Sequence, residues 1–142
     1  CIAVDRSDPK SRERTTKAIR DRADNAHLWP HLLLFPEGTT GNGAELLQFQ
    51  RGAFNPGLPV QPMLIKHKFK HNDPSYGDEA PPAFTLVLRC LCQVYSHMEI
   101  EFLPVYRPSK AEVSDSALYA RNVQNLMAEA LGVPLSAFAQ DD

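Results

Sequence analysis

Residues 31–40 read His-Leu-Leu-Leu-Phe-Pro-Glu-Gly-Thr-Thr and join a short apolar run to a polar turn. The apolar run has the length and composition of a buried strand, which we predict over residues 31–35. In open α/β sheets, ligands bind beyond the carboxyl ends of the strands. The turn offers the Glu37 carboxylate, the Gly38 backbone and the Thr39 hydroxyl. It is therefore a candidate site for a polar, phosphate-bearing group.

The segments on either side of this turn alternate between strand and helix patterns. We predict strands over residues 1–4, 31–35, 60–66 and 98–106, and helices over residues 7–26, 83–95 and 116–131. The helix over 83–95 is apolar and is predicted to be buried, whereas the strand over 98–106 alternates and is predicted to be half-exposed. Since a helix between two strands implies a right-handed parallel crossover, we expect an α/β fold with a mostly parallel central sheet flanked by helices.

Helix-end signals are clearest near the carboxyl terminus. Ser109-Lys110-Ala111-Glu112 has the pattern of a capping box. Gly132 stands where a left-handed residue ends the last predicted helix, and Pro134 prevents that helix from continuing.

The composition is that of one globular domain, which we assign to residues 1–142. The chain is 43% hydrophobic and 23% charged. Its net charge of −2 argues against a general nucleic-acid binder. No apolar run reaches the roughly 18–20 residues that a membrane span needs. Because the chain opens on a strand-like Cys1-Ile2-Ala3-Val4 without a methionine, we expect an N-terminally truncated domain.

Cysteine usage gives no support for a metal site. Cys90 and Cys92 lie near His97, but this spacing fits no common zinc site. Buried free cysteines are common, so we interpret both as structural residues and predict no bound metal. The three cysteines are too few for a disulfide scaffold, which favours a reducing compartment.

Two arginines are predicted to converge on the polar turn. Arg6 follows the first predicted strand, and Arg51 lies in the segment that returns toward the third. Guanidinium groups bind phosphate through a planar fork, so these residues and the loop amides would form a phosphate cradle. Two other interpretations stay open: a salt bridge from Arg6 to Asp5 or Asp8, and a role for Glu37 as an acceptor of backbone amides within its own loop.

Four segments in this order and spacing resemble the motifs of a known family. They are Ala3-Val4-Asp5-Arg6, Phe35-Pro36-Glu37-Gly38-Thr39-Thr40, Phe49-Gln50-Arg51-Gly52-Ala53-Phe54 and Gly57-Leu58-Pro59-Val60-Gln61-Pro62-Met63. They resemble the second box, the third box, the intervening basic-x-Gly-Ala-Phe segment and the fourth box of the glycerolipid acyltransferases. Residues 99–106 and 127–133 are most similar to the lysophosphatidylcholine acyltransferase branch, with its lysophosphatidylethanolamine relatives.

The resemblance implies an enzyme of phospholipid remodelling with a partial glycerol-3-phosphate-acyltransferase-like domain. Such enzymes transfer a fatty acyl group from acyl-CoA, a co-substrate, to the free hydroxyl of a lysophospholipid, and no other cofactor is implied. The family's acceptor-binding residues correspond to Arg6, Glu37, Gly38 and Thr39, and Arg51 is added from the segment between boxes. The fourth box, with Pro59 and Pro62, is assigned to the acyl donor or to structure.

The chain departs from the family at its first box, His-x4-Asp. The five histidines of the chain each lack an aspartate five positions on. In the family this histidine is the general base, and such a group contributes typically 10²–10⁴-fold to the rate. No Gly-x-Ser-x-Gly elbow supplies a serine nucleophile instead. We therefore expect the box to lie upstream, and this chain by itself to bind the acceptor without turning it over.

Two alternatives remain at the level of the sequence. One is a non-catalytic module that binds phosphate or lipid, and the other is an acyltransferase acting on lysophosphatidic acid or glycerol-3-phosphate. For the main interpretation, the resemblance implies a membrane surface as a partner. The expected location is the endoplasmic reticulum or another endomembrane, with anchoring segments that are absent from this chain.

Overall fold

The computed structural model describes residues 9–25, 27–39, 43–68, 82–92, 95 and 97–136. The helices are α1 (Pro9–Asp24), α2 (Ala83–Leu91), α3 (Lys110–Ser114) and α4 (Ser116–Leu131), the strands are β1 (Met63–Lys68) and β2 (His97–Phe102), and a 3-10 turn spans Arg51–Ala53. The described part of the chain therefore mixes helices with a small sheet, as an α/β protein does.

The sheet pairs β1 and β2 in antiparallel register. Ile65 lies opposite Ile100, and Lys66 forms an ion pair of 3.0 Å with Glu101 on the neighbouring strand. An isolated bridge extends the pairing, since Val60 and Tyr106 exchange backbone hydrogen bonds of 3.1 and 2.8 Å. The predicted strands over 60–66 and 98–106 are confirmed with shifted ends, and the pairing between them is antiparallel.

The predicted strand over residues 31–35 is wrong. These residues have no regular secondary structure, and Leu33 and Phe35 are 63% and 69% exposed. A strand needs a neighbour to satisfy its backbone groups, and no described strand lies beside this segment. Its predicted partner, residues 1–4, lies outside the described residues. The parallel pairing that is described is one isolated bridge between Leu46 and Leu135.

The predicted helix over 83–95 is confirmed as α2, but its predicted burial is wrong. Phe84, Val87, Leu88 and Leu91 repeat at helical spacing along one stripe, and all four are exposed. The apolar residues of this segment thus form one face of an amphipathic helix, and such a helix needs to bury that face only. The structural interpretation of the two cysteines is corrected in the same way, because Cys90 and Cys92 are both free and exposed.

The core forms around α4, whose bounds are those predicted from the sequence. Leu46, Phe49 and Phe54 pack against one face of this helix, on Tyr119 and Val123. Gly132 ends α4 in the left-handed conformation at φ 72°, as its sequence position predicts. The segment that follows the polar turn is therefore held by α4.

A capping box begins α3, as predicted. The Ser109 hydroxyl accepts from the Glu112 amide at 3.4 Å, and the Glu112 carboxylate accepts from the Ser109 amide at 2.7 Å. The buried carboxylate also accepts from the Tyr106 hydroxyl at 2.6 Å and the Asn122 amide at 2.8 Å. Hydrogen bonds from Tyr106, Asn122 and Ser109 lower the pKa of Glu112 to about 2.

This network is expected to make folding stability pH-dependent. Because the folded pKa of Glu112 lies below its ordinary value of 4.5, its contribution is complete above about pH 5 and is lost as pH falls toward 2. The loss amounts to at most about 3 kcal/mol of unfolding free energy. Denaturant titrations at pH 6 and pH 3 should show it in the unchanged protein and not in Glu112→Gln. Glu129→Gln, an exposed change on α4, is the control. An equal pH dependence in the unchanged protein and Glu112→Gln would contradict the assignment.

Candidate functional site

The polar turn after residues 31–35 is closed by a backbone hydrogen bond. The Gly38 amide donates to the Phe35 carbonyl at 3.2 Å. Gly38 has φ 72°, a left-handed conformation that glycine adopts at low cost because it lacks a Cβ. Thr39 follows on the exposed side of the turn. The chain therefore turns at the predicted glycine, and Glu37 lies within this turn, between Phe35 and Gly38.

A second segment, residues 46–51, lies alongside this turn. The Leu47 amide donates to Oε2 of Glu37 at 3.2 Å. The Gln50 amide donates to the Pro36 carbonyl at 2.7 Å. These two hydrogen bonds hold the turn against the segment that leads into Arg51, so the structure brings these two predicted parts of the site together.

The Glu37 carboxyl is half-buried, and two features of its surroundings shift its pKa in opposite directions. Burial raises its pKa, and the Leu47 hydrogen bond lowers it by a smaller amount. A partly desolvated carboxylate is a strong acceptor for an additional N–H or O–H donor. The contact with Leu47 also confirms that Glu37 accepts a backbone amide within this loop region, as one of the two interpretations of the sequence predicted.

Arg51 begins the 3-10 turn and is exposed. The Arg51 carbonyl accepts hydrogen bonds from the Phe54 and Asn55 amides at 2.9 and 3.0 Å. These bonds hold the Arg51 backbone in place, while its side chain is exposed. An exposed guanidinium is suited to an anionic ligand. Arg6 and Thr40 lie outside the described residues. The convergence of Arg6 with Glu37 therefore stays a prediction.

The segment resembling the fourth box is anchored from the carboxyl-terminal side. The Tyr119 hydroxyl donates to the Leu58 carbonyl at 2.8 Å, and Val60 pairs with Tyr106. Pro62 is buried, and its carbonyl accepts from the Leu103 amide at 3.0 Å. These contacts describe a structural role for this segment.

Two residues of this region were missed by the sequence analysis. Leu47 contributes its backbone amide, which the sequence cannot single out because every residue except proline has one. Gln124 contributes a buried side-chain amide that donates to the Leu47 carbonyl at 2.8 Å. A signal for Gln124 existed, since it is a polar residue next to Val123 of the apolar stripe in the helix predicted over residues 116–131.

Two searches of the described residues came out negative. None of the described helices has the length and apolar character required to cross a bilayer. Within the same residues, no three or more His, Cys, Asp or Glu side chains are grouped in a way that would hold a metal ion.

Comparison with known proteins gives consistent matches. Residues 1–66 match the model of the Acyltransferase family. A lysophosphatidylcholine acyltransferase of Drosophila melanogaster is 45% identical over 99% of this chain and 26% of its own length. Human lysophosphatidylcholine acyltransferase 1 is 43% identical over 99% of this chain and 26% of its own length. The mouse lysophospholipid acyltransferase LPCAT4 is 44% identical over 94% of this chain and 25% of its own length. The chain thus spans about a quarter of these relatives, and no solved structure matches it.

Proposed function

Since this chain belongs to the glycerolipid acyltransferase superfamily, in its lysophosphatidylcholine acyltransferase branch, we propose that the protein transfers a fatty acyl group from acyl-CoA to the free hydroxyl of a lysophospholipid. The observation that carries the proposal is the 45% identity to a lysophosphatidylcholine acyltransferase over 99% of the chain. The names of the matched relatives support a lysophospholipid as the acceptor. The protein would act in phospholipid remodelling.

The part of the site in this chain would bind the phosphate-glycerol end of the acceptor. Arg51 is exposed, directly follows the Gln50 amide that bonds to the turn, and would bind the phosphate together with Arg6. Glu37 carries the same sign of charge as the phosphate, so it would act as an acceptor for a glycerol hydroxyl and for the Leu47 amide. Gly38 lets the chain turn, and Thr39 would add an exposed hydroxyl.

The reaction needs a base that this site does not supply. The acceptor oxygen attacks the thioester carbonyl, a C–O bond forms, the C–S bond breaks, and CoA leaves as its thiolate. The proton of the attacking hydroxyl passes to the base and then to the thiolate. The resemblance gives this role to the histidine of a His-x4-Asp box, a pattern that these 142 residues do not contain. We infer that a residue outside them performs it.

The full domain would have the parallel sheet that the sequence predicts. In it, Arg6 would lie near Glu37 at one edge of the sheet. The substrate is a lipid, so the whole protein would work at a membrane surface, by family the endoplasmic reticulum or another endomembrane. The branch of the matched relatives supports this location.

An acceptor panel tests the proposed function. We expect the purified full-length protein to transfer acyl groups from acyl-CoA to lysophosphatidylcholine or lysophosphatidylethanolamine. Its kcat/KM for these acceptors should exceed those for lysophosphatidic acid and glycerol-3-phosphate by about tenfold or more, which corresponds to roughly 1.4 kcal/mol of transition-state binding. Release of CoA thiol, measured with each acceptor at one acyl-CoA concentration, gives the comparison.

Two outcomes would contradict the proposal. A preference for lysophosphatidic acid or glycerol-3-phosphate would favour the neighbouring branches of the superfamily. Saturable binding of phospholipid vesicles that contain lysophospholipid, without release of CoA, would favour a binding module that has lost the base. Omitting the acceptor controls for simple hydrolysis of acyl-CoA.

A further inference from the structure

A buried amide on α4 contacts the segment that supports the candidate site. Gln124 is 6% exposed. Its Nε2 donates to the Leu47 carbonyl at 2.8 Å and lies 3.5 Å from the Leu46 carbonyl. Gln124 is thus a buried polar group whose described partners are backbone atoms of one short segment.

The same short segment carries the amide that meets Glu37. The Leu46 carbonyl and the Leu47 N–H belong to one peptide unit, and that N–H donates to Oε2 of Glu37 at 3.2 Å. The next carbonyl, that of Leu47, receives the stronger hydrogen bond from Gln124. Gln124 thus reaches the carbonyls before and after the Leu47 N–H, which meets the candidate site.

The carboxyl-terminal segment after α4 holds the same peptide from a second direction. The Ser136 amide donates to the Leu46 carbonyl at 2.9 Å, and the Leu46 amide donates to the Pro134 carbonyl at 2.9 Å. This pairing fixes the position of Leu46 but makes no contact with the Leu47 carbonyl. Ser136 and Gln124 therefore both act on the peptide unit that carries the Leu47 N–H, and Gln124 is the described partner of the carbonyl that follows it.

We propose that Gln124 is a positioning residue for acceptor binding, which holds the Leu47 amide in the orientation that fixes the Glu37 carboxylate. This inference rests on the proposed function for its effect on catalysis. Gln124 itself does not contact the acceptor. Its effect passes from α4 through the Leu47 backbone to the Glu37 carboxylate. The position of Glu37 in the acceptor-binding turn would therefore depend on Gln124.

Kinetics of Gln124→Met in the full-length protein test the proposal. Methionine keeps the length of the side chain without the N–H donor. We expect the KM for lysophosphatidylcholine to rise roughly 3- to 10-fold, the range for the loss of one neutral hydrogen bond, while the KM for acyl-CoA stays unchanged. Val123→Ala, at the neighbouring buried position, is the matched control for lost packing. It should lower the fraction of folded protein and leave both KM values unchanged.

A double-mutant cycle separates positioning from a general loss of structure. If Gln124 acts through Glu37, Gln124→Met should raise the acceptor KM in the unchanged protein and have little effect in the Glu37→Ala background. An equal rise in both backgrounds, or a parallel rise in the KM for acyl-CoA, would overturn the proposal.

Amide hydrogen exchange gives a readout that does not depend on acyl transfer. Gln124→Met should speed the exchange of the Leu47 amide at least several-fold relative to Val123→Ala at equal overall stability. Unchanged exchange at Leu47 would refute the positioning role even in an active enzyme. Faster exchange in a protein that transfers no acyl group would support the positioning of Glu37 and count against the proposed function alone.

Discussion

Replacing Glu37 with alanine is expected to lower kcat/KM for the lysophospholipid acceptor by roughly 10- to 100-fold. The change removes the carboxylate that accepts the Leu47 amide, and with it the proposed contact to a glycerol hydroxyl. A hydrogen bond to a charged group contributes about 1.5–3 kcal/mol, which gives this range. Initial rates at varied acceptor concentration would measure the effect, and the thermal midpoint of the variant should stay within a few degrees of that of the unchanged protein.

Two further variants determine what Glu37 contributes. Glu37→Gln keeps an acceptor for the Leu47 amide and removes the charge. A small loss in Glu37→Gln would mean that shaping the loop is the main role, whereas a loss equal to that of alanine would mean that the charge is needed. Glu45→Ala, at a nearby exposed carboxylate, controls for the change in net charge. A loss in Glu45→Ala as large as that in Glu37→Ala would contradict the site.

Replacing Tyr119 with alanine is expected to cost about 3–5 kcal/mol of unfolding free energy, the range for a buried aromatic residue. Tyr119 is 0% exposed. Its ring packs edge-on against Phe54 at 5.0 Å and stacks on Tyr106 at 5.6 Å between ring centroids. Alanine would leave a cavity at the point where α4 meets the segment after Arg51. Denaturant titration of both proteins at neutral pH would measure the loss.

The Tyr119 hydroxyl can be tested separately from its ring. Burial and the nearby Glu112 raise the pKa of Tyr119 to about 12, so the hydroxyl stays protonated and donates to the Leu58 carbonyl at ordinary pH. Tyr119→Phe should therefore cost only about 1 kcal/mol. Tyr95→Ala, at an exposed tyrosine, should have almost no effect. A cost in Tyr95→Ala comparable to that in Tyr119→Ala would show that the core does not centre on Tyr119.

The parts of the fold that were predicted correctly depend on local signals. The bounds of α4 follow from an apolar stripe that ends at Gly132, and the start of α3 follows from the reciprocal bonds of Ser109 and Glu112. These interactions join residues within one or two helical turns. A sequence pattern contains both partners of each interaction, which is why it predicts them.

The parts that were not predicted depend on partners far along the chain. Residues 31–35 have a strand composition, but a strand also needs a neighbour, and the described structure provides none. The stripe on α2 shows which side is apolar and not whether another element covers it. At the site, the order of residues predicted the turn at Gly38. It did not predict the contact from Gln124 to Leu47, which are 77 positions apart.

The pairing of Leu46 with Leu135 has a consequence for the time at which the site forms during synthesis. Contacts between distant positions close late, because the chain between them must first be ordered. On a ribosome, Glu37 and Leu47 are exposed to solvent long before Gln124 and residues 134–136 have been translated. The Glu37 turn is thus made early and fixed in place late. A nascent chain would gain its affinity for lysophospholipid only when the end of α4 has docked.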